Sequence, residues 1–406
     1  MSSSIHQSLK LTPSQCSLGG KRKLRIAAIG GRGVPSSYSG IERIWECMFD
    51  YFVQLGHEVT VYCRPQIEKI KDGRFRGMRQ VHLPAPGGKA LETVTHSLLS
   101  MTHAIRYGDE NGEPFDVISL HAIAPNIALP IAKLGGVPVV SHVHGLDHRR
   151  EKWKGLGSHV IKTGEHFMVQ LADRIAVVSN ELVDYYRSEY ALETYHLPNG
   201  VVLVDDTFEP HKPTLEKFGL SVGHYITAIS RLVPEKRIQD TITAYKNVKT
   251  NFPLVIVGDG SHAPEYLKLL KATAADHPKI IFTGHQSGEA LNTLFRSAAV
   301  YVTASELEGW PTSLVECVDC EVPAITSAIP PHIELMSAIK DYDLHFPVGD
   351  IARFTDRMQY ALDNIAHVWK LAIGGREHVR KNYAWPALAQ KMETLYCQVA
   401  AEHGKR

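Results

Sequence analysis

The sequence predicts an α/β protein built from two doubly wound parallel-sheet domains, and three observations carry that expectation. Short apolar strands alternate with helical segments along nearly the whole chain, which is the grammar of βαβ units. The strands read as near-continuous apolar runs rather than alternating ones, as strands covered on both faces do. The alternation stops at a charged stretch with Pro210 and Pro213, Asp205 to Gly219, and then restarts. At 406 residues the chain is too long for one ordinary domain and comfortable for two.

In order, Leu24 to Ile29 is the first strand, running into Gly30-Gly31-Arg32-Gly33. A glycine-rich turn after the first strand lets backbone approach a phosphate with no Cβ in the way. A helix follows from Ile41 to Leu55, then a strand from Glu58 to Cys63. Strands are expected at Gln80–Leu83, Phe115–Leu120, Pro138–Val143 and Arg174–Ser179, with helices at 91–106, 125–134 and 181–190. After the linker come strands at Tyr225–Ile229, Pro253–Val257, Lys279–Phe282, Ala299–Thr303, Pro323–Thr326 and Leu344–Phe346. Helices at 237–249 and 288–298 separate some of them, and the chain from Asp350 is helical. A break at Asn382-Tyr383-Ala384-Trp385-Pro386 sets off a last helix, 387–402. The expected domains are 23–200 and 201–383. The Ser-rich residues 1–22 form a disordered tail.

Composition narrows the function classes. Net charge is +1 with neutral histidines, so no basic bias points to nucleic acid. No apolar run reaches the roughly 20 residues that span a bilayer. The best candidate, Ile127 to Val140, is broken by Pro130, Lys133, Gly135, Gly136 and Pro138. Six scattered cysteines and the lack of an apolar export segment imply reduced thiols in a cytoplasmic protein. Cys317 and Cys320 form a CxxC inside an expected helix, past its N-terminus, where packing suits them better than redox chemistry.

The stretch with most chemistry is Ser305 to Glu316. A strand, a Gly-containing turn and a helix opening at Pro311 present backbone N–H groups and a positive helix end to an anion. Thr312 and Ser313 add hydroxyls, and Glu308 and Glu316 bracket the turn. Phosphate repels carboxylates, which instead accept hydrogen bonds from neutral hydroxyls. A ligand carrying both phosphate and hydroxyls, such as a nucleotide sugar, fits this set. A surface loop with a capping carboxylate fits it as well. The dinucleotide reading of the first turn fails on glycine spacing, and Arg64 stands after the second strand where an acidic residue would hold ribose.

Glu308-Gly-Trp-Pro-x-x-x-x-Glu316 resembles the E-x7-E motif of the retaining family-4 glycosyltransferases, which have the GT-B fold. Ser230-Arg231-Leu232-Val233-Pro234-Glu235-Lys236 and Val140-Ser141-His142-Val143-His144-Gly145-Leu146-Asp147 resemble the same family in the expected order. The segment Gly30 to Arg43 is similar to a subgroup that includes many bacterial rhamnosyltransferases. The resemblance runs from Leu24 onward. It implies two Rossmann-like domains facing a cleft, the first binding acceptor, the second binding donor, with residues 384–406 crossing back onto the first. It also implies transfer of a hexose or deoxyhexose from a nucleoside diphosphate sugar to a hydroxyl acceptor, a lipid-linked or growing glycan, without metal or cofactor. A nucleotide-sugar 2-epimerase on the same fold and a silent nucleotide-sugar-binding subunit are the alternatives.

The site expectations follow from matched positions. His144 lies against the donor sugar, although many members of the similar subgroup carry Asp there. Arg231 and Lys236 clamp the diphosphate, Arg as a bidentate fork and Lys as a point charge. Glu308 holds sugar hydroxyls and Glu316 the ribose. Gly31, Gly33, Thr312, Ser313 and Leu314 surround the phosphates, and Gly258 lies by the base. His142, His144 and His148 also suggest a metal cluster, but their strand-end spacing and the missing fourth ligand speak against zinc. Arg149, Arg150, Lys152, Trp153, Lys154 and Lys162 form either a solvated face or a surface for anionic lipid on the inner face of the membrane.

Overall fold

The computed structural model describes residues 23–35, 40–146, 148, 156–203, 207–261 and 263–404. The tail 1–22 and Arg149, Arg150, Lys152, Trp153 and Lys154 of the basic stretch lie outside the described residues. The chain divides into two compact units. One holds the described parts of Met1–Val178, Tyr185–Leu197 and Trp385–Arg406; the other holds Ser179–Asp184 and Pro198–Ala384.

The first unit is an eight-stranded sheet: β1 (Arg25–Ile29), β2 (Glu58–Cys63), β3 (Arg74–Phe75), β4 (Met78–His82), β5 (Val117–His121), β6 (Val139–Val143), β7 (Arg174–Val177) and β8 (Tyr195–His196). Its order is β3-β4-β2-β1-β5-β6-β7-β8. All pairs are parallel except the small β3–β4 hairpin. That hairpin and β8 were not expected from the sequence; two-residue strands give too short a pattern to read. The helix Gly40–Gln54 buries Ile44, Trp45, Met48, Phe49 and Phe52, a stripe at helical spacing. Burying each such side chain contributes about 1.5–3 kcal/mol.

The last helix, Trp385–His403, belongs to this unit despite its place in the sequence. It buries Leu388, Met392, Leu395, Tyr396 and Val399. Its Glu393 meets His57, with Nε2 to Oε1 at 2.9 Å and both side chains buried. His57 Nδ1 accepts the backbone N–H of Leu24 at 3.1 Å. Its ring proton therefore sits on Nε2 and is donated to Glu393.

The second unit is a six-stranded parallel sheet: β9 (Ile226–Ile229), β10 (Leu254–Val257), β11 (Ile280–Gly284), β12 (Val300–Thr303), β13 (Ala324–Ser327) and β14 (His345–Phe346). The order is β11-β10-β9-β12-β13-β14. Part of the expected linker, Lys212–Phe218, is a helix, with Pro213 in its first turn and Gly219 in the left-handed conformation just past its end. Those are helix-boundary signals rather than linker signals. The helix after β12 spans Thr312–Asp319 and has Pro311 as its N-cap rather than its first residue.

In both sheets the strand order reverses once: between β1 and β5 in the first, and between β9 and β12 in the second. Open α/β sheets bind ligands outside the carboxyl ends of the strands at such a point. Cys317 is buried, its Sγ directed at the Val322 carbonyl at 3.2 Å. Burial pushes its thiol well above the ordinary value and that of Cys320 up to about 12, so the CxxC is a packing element. The expectation of reduced thiols holds for Cys47, Cys63, Cys317 and Cys320. Cys397 is instead disulfide-bonded. No described helix is long and apolar enough to cross a membrane.

Candidate active site

In the second unit two loops leave the carboxyl ends of the neighbouring strands β9 and β12, which pair in register as Ile226 with Val300 and Thr227 with Tyr301. The loops are stitched together. Glu306 N donates to the Glu235 carbonyl at 3.0 Å. Arg237 Nη1 donates to Glu306 Oε2 at 2.9 Å, and Lys236 Nζ donates to Glu308 Oε1. The separation that matters is the 72 residues between Lys236 and Glu308, which the pairing of β9 with β12 closes.

 

Both side chains of that ion pair are only 13% exposed. Burial favours the neutral form of the Glu308 carboxyl, but the Lys236 ammonium, with His332 and Ser305 adding, outweighs it and holds the pKa below the ordinary carboxylate value. Arg231, in the same β9 loop, is half-buried and has no ion pair among the described residues. Gly258, at the end of β10, has φ +154°, and a Cβ there would sit 1.8 Å from the Ser230 carbonyl oxygen. Glycine is therefore required for β10 to close against the loop that carries Arg231.

Past Glu308 the chain enters the helix Thr312–Asp319. Thr312 and Glu316 are one turn apart and share a face; both are half-buried, as is Ser313. Ser313 Oγ accepts from Tyr301 Oη at 3.2 Å. The Leu314 side chain is fully buried and its N–H is bonded to the Pro311 carbonyl at 2.9 Å. Its place in the fold is a core position.

In the first unit the turn after β1 packs on the chain itself. Gly33 has φ +125° and a Cβ would meet Cys63 Sγ at 2.6 Å; one on Gly31 would meet the Trp45 ring at 2.9 Å. These glycines are explained by close approach to Cys63 and Trp45. His144 follows β6, and its Nε2 lies 2.9 Å from His121 Nδ1. The rings of His121 and His144 are nearly parallel, at 11° and 5.2 Å between centroids. His142 reaches the last helix instead, with Nε2 2.8 Å from Tyr396 Oη. His148 Nδ1 lies 3.6 Å from Glu165 Oε2.

Comparison with known proteins matches each half of the chain. Residues 38–204 match the Glycosyltransferase Family 4 profile, and residues 217–378 match that of Glycosyl transferases group 1. Glycosyltransferase family models thus match the two halves of the chain in order, on a GT-B fold.

Among its relatives, an amylovoran biosynthesis glycosyltransferase of Erwinia amylovora is 25% identical over 169 residues, covering 39% of this chain and 44% of that protein. The match thus spans less than half of that relative's length. A GDP-mannose-dependent alpha-mannosyltransferase of Corynebacterium glutamicum is 24% identical over 94% of this chain and 90% of its own. The Anabaena protein HepE in complex with UDP-glucose superposes with a TM-score of 0.74 at 14% identity, covering 92% of this chain and 99% of that chain. That likeness shows the GT-B fold.

The second unit brings Arg231, Lys236, Glu308, Thr312, Ser313 and Glu316 to one sheet edge. Sequence reading missed Ser119, His121, Tyr396 and His332. His332 is buried; burial lowers its pKa to about 4, and its Nδ1 bonds the Ser327 carbonyl at 3.0 Å. Ser119 and His121 carry a weak signal, a polar pair two apart inside an apolar strand. Tyr396 carries none, since its partners lie 254 and 277 residues away.

Proposed function

We propose that the protein transfers a hexosyl or deoxyhexosyl group, rhamnose included, from a nucleoside diphosphate sugar to a hydroxyl of a glycan or lipid-linked acceptor, with retention and without a metal. The observation that carries this reading is the clustering of Arg231, Lys236, Glu308 and the Thr312–Asp319 helix at the β9/β12 switch point. In this reading Glu316 takes the ribose hydroxyls, and Thr312, Ser313, Arg231 and Lys236 take the diphosphate. Glu308, now paired with Lys236, turns to sugar hydroxyls as the diphosphate claims the ammonium. His144 meets the donor sugar.

Charge developing on the leaving diphosphate is met by Arg231, Lys236 and the helix N-terminus, the role a cation plays elsewhere. A diphosphate oxygen takes the proton of the acceptor hydroxyl, which attacks from the side the diphosphate leaves. Relatives named for GDP-mannose and a neighbour holding UDP-glucose support the donor class. Peripheral docking of the basic stretch at the inner face of the membrane would bring the enzyme to lipid-linked acceptors. The test is an NMR coupling constant on the product, with chelator added. Retained anomeric configuration and an unchanged rate are expected. The opposite anomer, or activity lost in EDTA and restored by magnesium or manganese, would refute the mechanism. Product formed without acceptor would favour an epimerase.

A further inference from the structure

Five side chains of the first unit form one hydrogen-bonded chain from the last helix to the carboxyl edge of the sheet. His142 Nε2 lies 2.8 Å from Tyr396 Oη. Tyr396 Oη donates to Ser119 Oγ at 2.6 Å. Ser119 Oγ lies 2.8 Å from His121 Nε2, and His121 Nδ1 lies 2.9 Å from His144 Nε2. Ser119, His121 and Tyr396 are fully buried, and His142 is 3% exposed. The His121 ring is stacked on His142 at 4.5 Å and 12°, with Trp45 edge-on at 5.3 Å.

The proton count orders this chain. Burial, with the neighbouring imidazoles adding, lowers the His142 pKa to about 3 and that of His121 well below its ordinary value. Each ring therefore carries one proton at neutral pH. Tyr396 donates its proton to Ser119, which leaves the Ser119 proton to be donated along the chain to His121 Nε2. The His121 proton is then on Nδ1 and is donated to His144 Nε2. A neutral His144 must carry its proton on Nδ1.

We infer that Tyr396, Ser119 and His121 are positioning residues that hold His144 as the Nδ1–H tautomer, so that it donates a hydrogen bond to a hydroxyl of the donor sugar and does not serve as a base. This rests on the reading that His144 meets the donor sugar. Its Nε2 lone pair is occupied by His121, and the remaining nitrogen already bears a proton. The last helix, distant in sequence, thereby sets the protonation pattern at the sheet edge.

The test is a long-range proton–nitrogen NMR correlation on full-length enzyme carrying 15N-histidine, with His144 assigned from His144→Asn. Wild-type enzyme near neutral pH should show a protonated Nδ1 and a bare Nε2 at His144. Tyr396→Phe and Ser119→Ala should each shift His144 toward a mixture of tautomers and lower kcat about tenfold with little change in donor KM, the loss of about one hydrogen bond. Ser119→Thr, which keeps the hydroxyl, should restore both. A wild-type His144 protonated on Nε2, or a tautomer unmoved in Tyr396→Phe while only the melting temperature falls, would overturn the inference. The inferred tautomer together with full turnover in His144→Asn would instead overturn the assignment of His144 to the sugar.

Discussion

Lys236→Met should destabilise the second unit, and by an amount the structure bounds. Lys236 and Glu308 are each 13% exposed and bonded to one another. Removing one partner of a buried pair costs about 3–5 kcal/mol, because the other charge is left uncompensated. At this residual exposure the lower end applies, about 3 kcal/mol. For a unit of this size that corresponds to a fall in Tm of roughly 6–12 °C. The double variant Lys236→Met/Glu308→Gln strands no charge and should recover most of the loss. The pH dependence has a definite sign. The wild-type Glu308 pKa lies below its ordinary value, so its contribution is present above the unfolded-state pKa and is lost as pH falls through the folded one. In Lys236→Met burial acts without the ammonium, so the deficit is largest at neutral pH and narrows through the acidic range. Urea unfolding followed by circular dichroism at several pH values measures this. Equal losses in the single and double variants, within about 0.5 kcal/mol, or a deficit independent of pH, would refute the argument.

Other outcomes follow from the same geometry. Glu316→Gln should weaken donor and free nucleoside diphosphate alike, whereas Glu308→Gln should leave nucleoside diphosphate affinity intact and lower turnover, as calorimetry and steady-state rates would show. Gly258→Ala should cost about 2 kcal/mol or more, because the added Cβ meets the Ser230 carbonyl at 1.8 Å; a melting curve matching wild type would contradict this. Cys317 and Cys320, with thiols pushed up by burial, should resist iodoacetamide in the native enzyme at mildly alkaline pH and react after unfolding, read by intact mass.

By itself the sequence determined the alternation of strands and helices and the motif around Glu308, because strand burial and helix boundaries are local patterns. Lys236 and Arg231 were legible through a motif just past a strand end. The Lys236–Glu308 pair was not, because it depends on which strands are neighbours. The same holds for the last helix: its apolar stripe is visible at Leu388, Met392 and Val399, but not the sheet that the stripe covers. Gly31 and Gly33 show the limit in another way. Sequence reading gave them to a phosphate, while the fold shows Trp45 and Cys63 filling the space a Cβ would need. Only the tertiary structure decided the chain from Tyr396 to His144, since parallel pairing sets His121 beside His142 and the closing helix supplies the phenol. Hydrogen bonds between residues hundreds of positions apart leave no periodic trace in the sequence, and a tautomer exists only once those bonds are formed.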